Sequence, residues 1–322
     1  MGLSRIAVVF CALIIALLSG CQGLKYSSFQ NQLATSSCQI QSQSKANQWQ
    51  PETVALLHPE MLSERSALMS EILGINDLIN DYHSNLLAQK QEPDDSNRIV
   101  LLESYMRIQH RIQIASLAVS GIASELDCEE ERCDQIATYI SGIENRRETR
   151  LTVSAITIGA LGAIVSGVLL LNNPETISVE YIGIGVGVTE AVLGVFILKS
   201  GNEVTFHHPR NPLKSIWTGK DEDGIFPSFV WRYLNHPNIS DHPELTLRDQ
   251  IVGRWMSFSQ FNLKSNKKQQ EFEKKYFGAV GNYSSDELFY RADMHDQVES
   301  NVNLMKQDLT LLALELESLI YE

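Results

Sequence analysis

The side chains of this chain that could do metal or acid chemistry fall in two places. The first is the acidic run from Asp127 to Glu131, whose carboxylates could attract a cation. Consecutive residues of a helix point about 100° apart, so these carboxylates do not converge on one ion. The second place holds four histidines, which are His207, His208, His236 and His242. They lack the His-x3-His spacing that puts two imidazoles on one helical face. The sequence therefore predicts no metal site, and we interpret the acidic run as a solvated helix face.

Motifs of known catalytic sites are also missing from the sequence. The chain contains no Gly-x-Ser-x-Gly elbow and no His-Glu-x-x-His pair. Gly219 and Lys220 do not form a phosphate loop, because Asp221 stands where that pattern requires Ser or Thr. We therefore expect no catalytic residues, no cofactor and no enzymatic activity.

The amino-terminal stretch has the layout of an export signal. Residues 1–20 carry one positive charge, at Arg5, followed by an apolar run that is too short to span a membrane. The segment Leu-Ser-Gly-Cys at 18–21 resembles the lipobox of bacterial lipoproteins. This resemblance implies cleavage before Cys21 and acylation of that cysteine with fatty acids such as palmitate. Because Gln22 is not the Asp that retains such lipoproteins in the inner membrane, the resemblance implies an outer-membrane location facing the periplasm.

Three cysteines, Cys38, Cys128 and Cys133, lie beyond the lipobox. Cys128 and Cys133 are about 140° apart around one predicted helix and do not readily face each other. In an oxidising compartment Cys38 is expected to bridge to one of them. We favour the Cys38 to Cys128 pair, and three free thiols are the alternative.

The charge of the chain argues against one class of partner. The formal net charge is −13 at neutral pH. Nucleic-acid binding needs clustered Lys and Arg that neutralise phosphates. We therefore expect no nucleic-acid partner.

The stretch from 151 to 198 contains two apolar segments separated by Asn172, Asn173 and Pro174. The segments have about 21 and 22 residues, and each would be about 32 Å long as a helix, which is enough to cross a bilayer. We predict an antiparallel helical hairpin packed through small residues at four-residue spacing. These are Ala155, Gly159, Ala163 and Gly167 in the first segment, and Gly183, Gly187 and Ala191 in the second.

Two locations are open for this hairpin. Its length fits a membrane, but Glu190 near the middle of the second segment is costly in lipid. Arg146, Arg147 and Arg150 precede the hairpin, an orientation opposite to the positive-inside rule for an exported chain. The hairpin therefore either inserts into a membrane or forms the core of a helical bundle.

Helical periodicity predicts an all-α fold, an elongated helical bundle built of long amphipathic helices around the Gly-rich hairpin. In the last helix, the apolar residues from Val298 to Leu319 alternate steps of four and three, which is typical of a coiled coil. The long helix before the hairpin is its natural partner. We divide the chain into a signal peptide (1–20), a flexible tether (21–50), long amphipathic helices (51–150), the hairpin (151–198), a Pro- and aromatic-rich loop layer (199–245) and C-terminal helices (246–322).

Together these features predict a lipid-anchored protein of the cell envelope that acts as a structural or interaction component through its hydrophobic hairpin. The expected partners are membrane lipid, contacted by the acylated amino terminus and by the hairpin, and an envelope protein or a second copy of the chain. The alternative function is an α-helical pore-forming or membrane-inserting protein. A third hypothesis is an oxidoreductase or hydrolase built on the histidine-containing layer.

Overall fold

The fold is all-α, with one two-stranded sheet, and its elements are set by the helical periodicity of the chain. A computed structural model describes residues 38, 54–172, 186–189, 191–195, 201–242, 244–257 and 266–321. The helices are α1 (Glu64–Leu73), α2 (Asn76–Gln91), α3 (Asp95–Asn172), α4 (Pro212–Thr218), α5 (Ser228–Asn235), α6 (Leu247–Ser257), α7 (Asn266–Phe277) and α8 (Ser285–Tyr321), and the strands are β1 (Val204–His207) and β2 (Val280–Tyr283). Residues 186–189 and 191–195 are also helical.

The chain divides into two compact units. The hairpin unit contains Gln135–Val204 and Tyr283–Glu287, and the bundle unit contains Thr35–Asp134, Thr205–Asn282 and Leu288–Glu322. Helix α3 is continuous and contributes its first part to the bundle unit and its last part to the hairpin unit. Most of the buried apolar side chains belong to the bundle unit.

Ser63 and Ser66 are the two candidate caps in the sequence, and helix α1 begins after Ser63 but ends earlier than the apolar periodicity predicts. Ser63 Oγ accepts a hydrogen bond from Ser66 N at 3.2 Å. The sequence predicts one helix from this cap to Gln91. Instead Gly74, with φ of 63°, ends α1 in left-handed geometry and its N–H caps carbonyls of the last turn. The apolar spacing continues through Gly74, which is why the break is not visible in the periodicity.

The Pro-rich layer is more regular than the sequence indicates. The sequence predicts one short helix in this layer, around residues 228–234, and α5 is that helix. Helix α4 and strand β1 are not predicted by the sequence. Strand β1 pairs with β2 in an antiparallel sense, because Thr205 Oγ1 bonds Asn282 Oδ1 at 2.8 Å and His208 N donates to Ala279 O at 2.8 Å. Each strand has four residues, too few to produce a readable alternation of polar and apolar side chains.

The spacing of Thr246 and Asp249 in the sequence predicts a capping box, and helix α6 begins with it. Thr246 Oγ1 accepts from Asp249 N at 3.1 Å, and Asp249 Oδ2 accepts from Thr246 N at 3.2 Å. Two backbone donors that have no partner within the helix are thereby satisfied.

Helix α8 carries the predicted stripe of alternating three- and four-residue steps, and the stripe is buried. It extends further toward the amino terminus than the apolar residues alone indicate. Its buried members are Leu288, Arg291, His295, Val298, Val302, Met305, Leu309, Leu312 and Leu316. Two polar side chains therefore occupy core positions of a coiled-coil-like pattern.

Helix α3 shows the same pattern within the bundle unit. Its buried members there are Ser104, Ile108, Ile112, Ala115, Val119, Ile122, Leu126, Glu129 and Cys133. Carboxylates of Asp127 and Glu130 on α3 lie within 4.8 Å of Glu299 on α8, and Asp134 faces Asp293. The numbers run in opposite directions, so the two helices are antiparallel here, as expected for the predicted partners.

The carboxyl-terminal half of α8 packs against α1 through ionic contacts. Asp308 accepts two hydrogen bonds from Arg65, at 2.8 and 2.7 Å, and a third from Tyr233 OH at 2.7 Å. Glu315 accepts from Ser63 N at 2.9 Å, next to the cap of α1. These bonds fix α1, α5 and α8 relative to one another.

The polar core positions of α3 are satisfied by close partners. Glu129 Oε2 is paired with Arg132 Nη1, and Glu129 Oε1 accepts from Cys38 N at 3.2 Å. Arg132 Nη2 donates to His207 O at 3.1 Å, and its guanidinium lies 4.6 Å from the Phe206 ring centroid. Both charged groups are only 4% exposed, so each depends on the other to compensate for its lost hydration.

The polar core positions of α8 have different surroundings. Arg291 Nη1 donates to Tyr276 O at 2.7 Å, and Nη2 donates to Asn211 Oδ1 at 3.1 Å. Neither ring nitrogen of His295 has a hydrogen-bond partner among the described residues. Burial, together with the charge of Arg291, holds the pKa of His295 well below its usual range, so this imidazole is neutral.

A disulfide joins Cys38 to Cys128, the pair that the sequence favours, with the Cα atoms 5.8 Å apart. The bond closes 90 residues of chain, and such a loop costs the unfolded state about 4–5 kcal/mol of conformational freedom. Cys133 is free and fully buried, and burial raises the pKa of its thiol to about 12. Cys133 is therefore an inert core residue.

The buried Glu129 and Arg132 pair gives a testable prediction for the stability of the bundle unit. Arg132→Met is expected to lower the free energy of unfolding by about 3–5 kcal/mol, because Glu129 stays buried without its cation. The double variant Glu129→Met/Arg132→Met should recover most of that loss. Urea denaturation followed by circular dichroism measures both, and a double variant no more stable than the single one would contradict the charge-pair explanation.

Candidate functional site

The most unusual surface of the molecule is the last part of α3, where large apolar side chains are exposed. They are Val153, Ile156, Leu161, Ile164, Val165, Val168 and Leu171. Among the described residues, α3 is the helix whose length and composition suffice to cross a membrane, and 11% of its apolar window is buried. A helix of a soluble core buries such a window instead. We call these seven residues the apolar face.

The opposite side of the same helix packs inside the hairpin unit. Leu151, Ala155 and Ile158 are half-buried or buried, and the stripe continues through Gly162 and Ser166. A Cβ added to Gly162 would lie 2.5 Å from Val186 Cγ2, closer than atoms can approach. Glycine at 162 therefore lets the backbone of α3 come against the second apolar segment.

The second segment shows a matching inward stripe in its described part. Val186 and Thr189 are half-buried and Leu193 is buried, at steps of three and four residues. Val188, Val192 and Val195 are exposed between them. The first segment and the described part of the second thus each have one inward and one exposed apolar side.

The packing residues that the sequence predicts are only partly those that pack. Ala155 and Gly159 are half-buried, but Ala163, Gly167, Gly187 and Ala191 are exposed. No atom of the described residues lies within 4 Å of a Cβ built on Gly167 or Gly187. A strict four-residue spacing rotates about 40° per step around a helix, so the later members turn away from the contact. Gly183 lies outside the described residues.

The base of the hairpin unit is fixed by one carboxylate. Glu144 Oε1 accepts from Asn202 N at 2.7 Å, and Glu144 Oε2 accepts from Ser285 Oγ at 2.9 Å. These bonds connect α3 to the chain that follows the second apolar segment and to the start of α8. The entrance and exit of the hairpin are therefore held together.

The basic residues after the hairpin are used inside the bundle unit. His208 is 1% exposed, and burial lowers its pKa to about 2, so it is neutral. Arg210 Nε donates to the buried Glu125 Oε1 at 2.6 Å, and Arg210 Nη2 donates to Ile225 O at 2.9 Å. Neither side chain is available as a surface cation. Cys21, the predicted acylation site, lies outside the described residues.

The acidic run of α3 is not uniformly the solvated face that we expected. Glu129 is buried and paired, Glu131 is exposed, and Glu130 turns toward α8. There Asp127, Glu130 and Glu299 place one carboxylate oxygen each within 4.8 Å of the others. Within the described part of the chain this is the group with metal-ligand spacing, and no histidine belongs to it. Sequence reasoning missed it because Glu299 is 169 positions away.

The acidic cluster is electrostatically unfavourable when ionised. Partial burial, then Asp296, Asp134, Glu299 and Asp127, raise the pKa of Glu130 to about 7. Burial and Asp127 also raise the pKa of Glu299, whose nearby cation is Lys306. The cluster therefore stores repulsion between α3 and α8 at neutral pH.

A groove of about 630 Å³ in the bundle unit is lined by one candidate histidine of the histidine-containing layer. His242 and Asp241 line it, together with Arg65, Tyr233 and Asp308. The last three bond one another, so these polar groups hold helices together and do not point to a ligand.

Comparison of the chain with protein-family models, with curated proteins and with solved structures finds no match. The function is therefore inferred from the sequence and from the geometry of the molecule.

The close approach at Gly162 predicts a difference between two glycines on one helix. Gly162→Ala puts a methyl group against Val186 and should lower local stability by about 1–3 kcal/mol relative to Gly167→Ala, which has open space. Amide hydrogen exchange of residues 151–168 measures the difference: exchange should be faster than in the parent chain for Gly162→Ala and unchanged for Gly167→Ala. Equal protection in the two variants would show that the contact with Val186 does not stabilise the hairpin unit.

The acidic cluster predicts a pH dependence of stability. The pKa of Glu130 in the folded protein, about 7, lies above its ordinary value of 4.5. The contribution of Glu130 to the free energy of unfolding is therefore most favourable below about pH 4.5, and it is lost as the pH rises through about 7. Glu130→Gln should therefore stabilise the protein at about pH 8 and have little effect at about pH 5. Thermal unfolding at both pH values measures this, with Glu103→Gln, an exposed carboxylate of α3, as the control. A gain in thermal stability that is the same at both pH values would contradict the raised pKa of Glu130.

Proposed function

We propose that the protein is a lipid-anchored component of the bacterial cell envelope whose apolar hairpin enters a lipid bilayer, where it serves a structural or interaction role. The observation that carries the proposal is the apolar face of α3. An exposed apolar surface of this extent on a polar, acidic chain marks a site that contacts lipid or another apolar surface. The small buried fraction of the apolar window favours insertion over the alternative of a hairpin buried in the bundle.

The dimensions of the segment support lipid as the partner. The apolar residues from Val153 to Leu171 span about 27 Å along a helix, which is close to the hydrocarbon thickness of a bilayer. Backbone groups of a helix are satisfied internally, as a lipid environment requires. The inward stripe through Gly162 lets the two segments enter as one closely packed pair.

The anchor is supported by the lipobox resemblance at 18–21, and the rest of the chain supports a structural role. The apolar face gives the chain a second membrane contact beside the anchor, and two contacts hold a protein on a membrane more firmly than one. The bundle unit contains a disulfide and a buried ion pair that hold its segments together, which supports a structural role.

Fluorescence of a dye on a single new cysteine tests insertion without the acyl anchor. The chain carries Cys11→Ser and Cys21→Ser, and a polarity-sensitive dye is attached at Leu171→Cys or, as the control, at Leu57→Cys. Both leucines are exposed, at 87% and 70%, and the buried Cys133 does not compete for the label. Addition of phospholipid vesicles should shift the emission to the blue at position 171 and not at position 57.

The same vesicles distinguish the proposal from its alternative. Absence of a shift at position 171, or an equal shift at both positions, would contradict hairpin insertion. Vesicles loaded with a self-quenching dye should stay sealed after the protein binds. Leakage would instead favour the pore-forming function.

A further inference from the structure

Three arginines lie immediately before the apolar face of α3. Arg146, Arg147 and Arg150 fall within about 100° of one another around the helix, at about 100° per residue. Arg146 and Arg150 are exposed and Arg147 is half-buried. Arg147 Nε has no hydrogen-bond partner among the described residues. We call these three residues the arginine collar.

The arginine collar and the apolar face lie on the same side of the helix. At about 100° per residue, Ile164 points in the same direction around the helix as Arg146. Val168 likewise points in the direction of Arg150, about 40° from Arg146. Val165 points in the direction of Arg147, about 100° from Arg146. A helix that enters lipid from its amino-terminal side places these guanidinium groups one turn before its first lipid-facing residue. Long basic side chains at that level reach the headgroups while their stems cover apolar surface.

The acidic residues of the same region lie away from Arg146 and Arg150, and Glu144 lies about 60° from Arg147 around the helix. Glu144 and Glu148 fall at about 160° and 200° from Arg146. Glu144 is already bonded to Asn202 N and Ser285 Oγ within the hairpin unit. Within the described part of the chain, no carboxylate comes within 4 Å of a guanidinium of the arginine collar. The collar is therefore a cationic patch that forms no ion pair among the described residues, on a chain of net charge −13.

We propose that Arg146, Arg147 and Arg150 bind the phosphates of anionic phospholipid headgroups at the membrane surface from which the apolar face enters. The inference rests on the proposed function and names its partner more closely. Guanidinium groups bind phosphate oxygens through paired, charge-assisted hydrogen bonds. The continuity of the collar with the apolar face selects a lipid phosphate, because a soluble polyanion would leave that face in water.

The contribution of the arginine collar to membrane affinity can be estimated. Each basic side chain near an anionic surface strengthens attachment about fivefold, so the three together contribute roughly 100-fold. The contribution falls as salt is added, because it acts over about one Debye length. Binding to uncharged lipid depends on the apolar face and is not expected to change with the collar.

The test uses the full chain with Cys21→Ser and measures its binding to two kinds of vesicle by flotation. One kind is phosphatidylcholine alone, and the other is phosphatidylcholine mixed with phosphatidylglycerol. The variant Arg146→Gln/Arg147→Gln/Arg150→Gln is expected to bind the anionic vesicles roughly 100-fold more weakly than the parent and the neutral vesicles equally well. The control Arg98→Gln/Arg107→Gln/Arg254→Gln removes the same charge from exposed arginines elsewhere and should leave both affinities nearly unchanged.

The outcomes separate this inference from the proposed function. A parent chain that binds both vesicles equally, or a control that weakens binding as much as the collar variant, overturns the inference and leaves hairpin insertion standing. A parent chain that binds neither vesicle overturns both. Binding of a soluble oligonucleotide that depends equally on the collar would assign the patch to nucleic acid and also overturn the inference. The double variant Arg146→Gln/Arg150→Gln, restricted to exposed positions, gives the same readout if the triple variant does not fold.

Discussion

The structure depends on a buried polar layer where α3 and α8 run antiparallel. Glu129 on α3, and Arg291 and His295 on α8, occupy positions that apolar residues take in the rest of the two stripes, apart from Ser104. A buried charge is tolerated only where a partner replaces its hydration, so the layer accepts few alternative pairings. We infer that it defines the register of the helices, as single polar core residues do in coiled coils.

Around this layer the bundle unit balances attraction and repulsion. The disulfide from Cys38 to Cys128 lies next to Glu129, whose carboxylate also accepts the backbone N–H of Cys38. At the neighbouring positions of α3, Asp127 and Glu130 repel each other and Glu299 of α8. The covalent bond therefore holds chain segments together beside a place where the helices have an electrostatic reason to separate.

The hairpin unit follows a different constraint, which is that its helices must pack without large side chains between them. Gly162 is the place where this requirement is visible, because even a methyl group there would overlap Val186. The packing side of the last part of α3 contains Ala155, Gly162 and Ser166 beside Ile158, and most of the large apolar side chains there point outward. Their exposure and the arginine collar have one origin, since both belong to the side of α3 that the second segment does not cover.

The sequence by itself determined the features that depend on local chemistry and periodicity. These include the helical fold, the Ser63 cap, the capping box of α6 and the buried stripe of α8, because each is set by residues a few positions apart. Only the tertiary structure decided that the pair of Glu129 and Arg132 is buried, that Glu130 meets Glu299, and that Gly162 packs where Gly167 does not. Those contacts depend on the angle and register at which distant helices meet, and a small rotation per turn, accumulated along a helix, changes which side chains face each other.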